Sequence, residues 1–225
     1  MTPRPAVMSW SSGKDSAMAL HAARQEPALE VVALLSTFNE CAARVAIHGT
    51  RREVARAQAA ALGLPLIEVD LPAPCPNAVY EERLGAATRR LRDDGVEDWI
   101  FGDLFLDDIR AYREAQLAPL GLAAHFPLWG RDTRALAQEM LAAGIDARIV
   151  TLDPQRLPPA LCGARFDAGF LAALPEGVDP CGERGEFHTV VAQAPGFAAA
   201  LDLRRGATVA REGFVYTDFT LGAAG

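Results

Sequence analysis

Six consecutive residues, Ser11-Ser12-Gly13-Lys14-Asp15-Ser16, combine hydroxyls, a glycine, an ammonium and a carboxylate. They follow a short apolar run, Ala6-Val7-Met8-Ser9, and Asp15-Ser16 open a helix-like stretch that continues to Arg24. A turn from a strand into a helix aims backbone N–H groups and the positive end of the helix dipole past the sheet edge, which makes an anion site. Gly13 is expected to take the positive φ of such a nest, Ser11 and Ser16 to offer hydroxyls, and Lys14 to add a mobile charge. Asp15 repels a bare phosphate, so it is expected either to cap the helix or to work beside Mg²⁺. A Ser-capped helix after a turn would need the same residue types without any chemistry. Lys14 tips the balance: among 22 basic residues it is the single lysine, and it stands where a compact ammonium is wanted rather than a planar guanidinium.

Other candidates are scattered. Gly102-Asp103 ends an apolar run, and Arg110 follows on the next helix, free to bind a substrate or to make a surface ion pair. His48 precedes a helix that begins near Thr50, as a cap, a satisfied polar group or a ligand contact. Glu183 and Glu186 lie three apart in a glycine-containing turn and could orient Mg²⁺ or ammonia; a solvated turn is the alternative. Arg184 between them suits a carboxylate or phosphate, and His188 can accept a proton near neutral pH.

The elements that must position these residues alternate. Strands are expected at Ala6–Ser9, Val31–Leu35, Pro65–Val69, Asp98–Phe101 and His125–Trp129. Helices are expected at 50–62, 77–92, 107–117 and 132–143, stopped in three cases by Gly63, Gly95 and Gly144. Such alternation implies a Rossmann-like parallel sheet with helices on both faces. Ligands of these sheets sit beyond the carboxyl ends of the strands where the strand order reverses. After about Asp153 the pattern breaks, with Pro, Gly and acidic residues to Glu186 and then two β-like runs, Phe187–Ala192 and Phe214–Leu221. That stretch reads as a smaller α+β lobe, and the division is placed at 1–130 and 131–225.

Composition narrows the field. The 225 residues are half apolar, enough for a substantial core, and the net charge is −7. No general positive field exists to gather nucleic acid, so any phosphate site must be local. No apolar run has the length of a membrane span, and the start lacks the pattern of a secretory signal. Cys41, Cys75, Cys162 and Cys181 form no C-x-x-C pair, as for reduced thiols in a cytoplasmic protein.

The loop is not G-x-x-x-x-G-K-[ST]. It resembles the S-G-G-x-D-S pyrophosphate loop of the N-type ATP pyrophosphatases, with Ser12 where the first glycine stands. Adding Trp10, His48, Phe101-Gly102-Asp103, Arg110, Pro127-Leu128-Trp129 and Cys181-Gly182-Glu183-Arg184-Gly185-Glu186-Phe187-His188-Thr189, the chain resembles the diphthine–ammonia ligase family, as a bacterial-type member. The resemblance implies a HUP-type sheet of strand order 3-2-1-4-5 and an ATP site made of Ser9, Ser11, Ser12, Gly13, Lys14, Asp15, Ser16, His48 and Gly102. It implies catalysis by Lys14, Asp103, Glu183, Glu186 and His188, substrate contacts by Asp103, Arg110, Arg184 and Glu186, and Mg²⁺ at Asp15. The reaction implied is adenylation of a carboxylate with release of pyrophosphate, then attack by ammonia. The usual E-G-G-E-[YF]-E-[TS] is altered here by Arg184 and His188. The carboxylate belongs to a small molecule or a protein, and bacterial relatives have been linked to cobalamin salvage. A homodimer is allowed for. Two other readings are tRNA sulfuration, with Cys75 and Cys162 as working thiols, and a non-catalytic adenine-nucleotide sensor.

Overall fold

A computed structural model of the chain describes residues 2–46 and 48–222. The first sheet is built from β1 (Arg4–Ser9), β2 (Leu29–Asn39), β3 (Arg44–Val45), β4 (Leu66–Leu71), β5 (Asp98–Ile100) and β6 (Ala123–His125). Its parallel strands lie in the order β4-β2-β1-β5-β6, which in chain order is the expected 3-2-1-4-5. The order reverses between β1 and β5, so the turns that leave these two strands flank one crevice.

Alternating side chains bury both faces. Ala6, Met8, Leu34 and Ile100 pack on one side with α1 (Lys14–Ala23) and α5 (Thr133–Ala142). Val7, Ala33, Leu35, Trp99 and Phe101 pack on the other with α3 (Asn77–Asp93) and α4 (Asp107–Leu117). Helix α2 (Arg52–Leu62) ends at Gly63, whose φ of 66° is the left-handed stop that glycine permits. Its Ala59 and Leu62 join the first core, while Val54 meets Val150, Val190 and Phe219 of the second lobe.

That second lobe is an antiparallel sheet of order β8-β7-β10-β9, from β7 (Asp146–Leu152), β8 (Phe187–Gln193), β9 (Leu203–Arg211) and β10 (Phe214–Leu221), with the short α6 (Ala168–Ala172). It lies on the α1 and α2 side, and β8 reaches the β1–α1 turn, where Val191 N–H donates to the Ser12 carbonyl at 3.0 Å. The strand expected at His125–Trp129 is displaced. Pairing with β5 stops at His125, and the chain then turns, with Trp129 N–H on the Phe126 carbonyl at 3.1 Å, because Pro127 cannot continue a ladder. Strands β3, β7 and β9 were not legible as such. Strand β9 is exposed along nearly its whole length and owes its form to pairing with β10 across the Glu212-Gly213 turn, both of whose φ angles are positive.

Candidate active site

The β1–α1 turn differs in detail from the expected nest. Ser12, not Gly13, holds the positive φ, at 70°; Gly13 is extended, at −98°. Glycine is required at 13 for another reason. A Cβ there would lie 3.1 Å from the Thr189 carbonyl oxygen and 3.2 Å from its hydroxyl, so β8 leaves no space for a side chain. Ser12 is fully buried, its carbonyl also accepts from Gln58 Nε2 at 3.1 Å, and its hydroxyl has no partner. Gln58 further accepts from Trp10 Nε1 at 3.0 Å and donates to the Val191 carbonyl at 2.8 Å. One amide on α2 thus fixes the turn from behind. Ser11 Oγ and Ser16 Oγ are 3.1 Å apart, and Ser16 donates to the Gly13 carbonyl at 2.9 Å.

Lys14 opens α1, and its backbone N–H donates to Thr189 Oγ1 at 3.0 Å. The residue is 1% exposed. Its ammonium donates to both Asp15 oxygens at 2.9 and 2.8 Å and to the Cys181 carbonyl, with the Phe187 and Phe166 ring centroids 5.2 and 5.4 Å away. Burial pulls the ammonium down, yet neighbouring negative charge, Asp15 foremost, carries it above the ordinary lysine value. The expected mobile charge is therefore corrected: Lys14 is a fixed cation that ties the turn to the second lobe. Asp15 is its counter-ion.

Across the crevice, Gly102 approaches the first turn of α1 so closely that a Cβ would sit 3.0 Å from Asp15 C and Ser16 N. Asp103 beside it is held by Arg113 through bonds of 2.8 and 3.1 Å. Arg110, expected near the substrate, instead pairs with Glu114 one turn along its own helix and lies over the Phe126 and Trp129 rings. A cavity of about 620 Å³ begins at Ser9 and Ser11, passes Ser36–Thr37 of β2 and His48, and runs down between α3 and α4 over Trp99. His48 also meets His188 of β8, with ring centroids 4.5 Å apart. Burial first, and for His188 the adjacent His48 and Lys14, hold both imidazoles below the ordinary histidine value.

The sequence matches the family described as diphthamide synthase N-terminal domain over residues 4–122. The chain belongs to the diphthamide synthase family. No curated protein matches it. This is a PP-loop family, and PP-loop proteins bind ATP, typically with Mg²⁺. The residues of this family member suit such a ligand: a helix N-terminus follows the β1–α1 turn, and a cavity starts at Ser9 and Ser11 of the same strand end. Among the described residues no group of three or more His, Cys, Asp or Glu side chains gathers as metal ligands. A Mg²⁺ at Asp15 would therefore depend on phosphate oxygens for most of its shell.

The diphthamide synthase match ends before the second lobe, whose 181–189 turn closes the crevice. Glu183 accepts from Leu104 N–H at 2.7 Å, and burial pushes its carboxyl up to about 7. Glu186 does not work beside it. It is 1% exposed and turned inward, accepting from the Asp179 and Arg184 N–H groups at 3.2 and 2.9 Å, so its role is to shape the turn. Arg184 is exposed and lies over Phe105. Sequence reasoning missed Gln58, and also Asp218. Asp218 on β10 accepts from Arg44 at 2.8 Å and from Arg51 at 2.6 to 3.1 Å, bracketing the segment that carries His48. Those bonds, Arg51 first, lower its carboxyl to about 2. The signal available was Gln58 itself, a polar residue on the buried face of an alanine-rich helix.

Proposed function

We propose that the chain is an ATP-dependent adenylating C–N ligase that activates a carboxylate as its acyl-adenylate, releases pyrophosphate and forms an amide with ammonia. One observation carries this reading. The β1–α1 turn packs against Gly102 and Thr189, Glu183 accepts from Leu104 N–H, and His188 meets His48, so residues of both lobes gather at the carboxyl edge of the sheet.

Phosphates would lie at the N-terminus of α1, where the dipole and the Asp15 and Ser16 N–H groups favour negative charge, the Lys14 N–H being taken by Thr189. Mg²⁺ would offset charge on the departing pyrophosphate. Residues 1–130 would hold the nucleotide, and 131–225 would close over it and present the acceptor. Attack by neutral ammonia leaves a proton to be removed as the C–N bond forms. Glu183, with a carboxyl near 7, is matched to that task at neutral pH. His188 and His48, held neutral beside Lys14, would add no positive charge to the acceptor side. The acceptor is a small-molecule or protein carboxylate, in the cytoplasm, with no nucleic acid required. Against sulfuration, Cys162 is buried with its thiol on the Val215 carbonyl at 3.4 Å.

The test is product analysis by ³¹P NMR together with pyrophosphate–ATP exchange over a panel of carboxylates. AMP and pyrophosphate, with exchange that needs one carboxylate, are expected. Conversion to ADP and phosphate would overturn the reading.

A further inference from the structure

Strand β9 is the outer strand of the second sheet, so one of its edges has no strand beside it. All of its residues after Leu203 are exposed. The two central residues of the Glu212-Gly213 turn have φ of 53° and 84°, a geometry in which the flanking pair, Arg211 and Phe214, exchanges both backbone bonds. Alternation then turns the N–H and C=O of Ala210 and Thr208 away from β10, onto the open edge. No proline interrupts the strand, and its bulge falls at Gly206-Ala207, which leaves Thr208–Arg211 regular. An edge of this kind is a template for another strand.

The side chains say which strand. Among the described residues the two exposed large apolar side chains are both on this hairpin, Val209 at 49% and Phe214 at 36%. Val209 stands opposite Tyr216 and Arg211 opposite Phe214, so the four share one face. A small cavity of about 180 Å³ opens there, between Val209, Arg211 and Tyr216 on the hairpin and Arg44 and Gly49 of the first lobe. From Leu203 to Arg211 the strand carries three arginines and no acid, in a chain whose net charge is −7. Arg204 pairs with Asp202, and Arg205 donates to the Cys162 carbonyl at 3.0 Å. Arg211 lies over the Tyr216 ring, 4.5 Å from its centroid, and has no ion pair among the described residues.

We propose that β9 docks an extended segment of a partner protein, which pairs with the Thr208–Arg211 edge, sets an acidic side chain against Arg211 and lays an apolar one on Val209. Backbone bonds along the edge supply affinity, and the guanidinium and the small cavity supply selectivity. A second copy of β9 would bring the same arginines onto these, and like charges on facing strands repel. A nucleic acid meets the overall negative charge and makes no use of the strand edge. The proposal does not depend on the ATP reading.

The test uses the intact chain and three probes: a capped nonapeptide alternating glutamate with valine, its twin with lysine for glutamate, and oligo-uridylate. In ¹H–¹⁵N spectra the glutamate peptide is expected to shift the amides of Thr208, Val209, Ala210 and Arg211, and the lysine peptide to leave them unmoved. Arg211→Glu is expected to weaken the glutamate peptide roughly tenfold and to admit the lysine peptide, a gain that only a folded variant can show. Ala210→Pro, which removes an outward donor and no bond to β10, is expected to abolish binding. Absence of those shifts with the glutamate peptide, equal binding of both peptides, or the same shifts with oligo-uridylate would overturn the proposal. So would a dimer in sedimentation that Ala210→Pro dissociates, since the edge would then belong to a second copy.

Discussion

Replacing Ser12 by glycine should stabilise the protein, because two costs are concentrated at that residue. Its φ of 70° is left-handed, which costs a residue bearing a Cβ about 1 kcal/mol. Its hydroxyl is buried without a partner, worth about 1 kcal/mol more. Glycine's extra freedom in the unfolded chain returns about 0.5–1 kcal/mol. The net gain for Ser12→Gly is about 1 kcal/mol, or roughly 2–4 °C in Tm for a chain of this size. Ser12→Ala removes the hydroxyl and keeps the backbone cost, so it should fall below the glycine variant by a few tenths of a kcal/mol. Differential scanning calorimetry on the three proteins measures this directly. A Tm for Ser12→Gly at or below wild type, or Ser12→Ala above Ser12→Gly, would refute the strain argument.

Other expectations follow from charge and close contact. Glu183 has a folded value near 7, above its unfolded value, so its contribution to stability is full below about pH 4 and is lost as pH rises through 7. Glu183→Gln should therefore be more stable than wild type at pH 8 by about 1–3 kcal/mol and similar at pH 4, as read by urea denaturation at both. Asp218 has the opposite sign: held near 2, it stabilises above about pH 4 and loses that contribution as pH falls through 2. With partial exposure discounted, Asp218→Asn should cost about 1–2 kcal/mol at pH 7, and urea curves should converge near pH 2. Gly102→Ala forces a methyl to within 3.0 Å of Asp15 and Ser16 backbone, so it should cost about 1–3 kcal/mol and weaken ATP binding in calorimetry by tenfold or more.

The parallel sheet was legible because each of its long strands is an apolar run between polar turns, and the β1–α1 turn stood out as small polar residues between such a run and a helix. What the loop does internally was not legible. Lys14 is held by residues 166–187, Gly13 is crowded by Thr189, and Ser12 is bonded from Gln58 and Val191, all distant in sequence. A free lysine and a buried one have the same neighbours along the chain. Glu186 misled for a related reason, since a carboxylate that satisfies the N–H groups of its own turn is spaced like one that faces a substrate. Strand β9 carries no burial pattern, so only its partner β10 defines it.

A crystal structure with Mg²⁺ and α,β-methylene-ATP tests the phosphate assignment most directly. The β- and γ-phosphates should lie on the N–H groups of the Ser11–Ser16 turn, with the α-phosphorus turned toward Gly102 and His48. A triphosphate bound anywhere else on the molecule would contradict it.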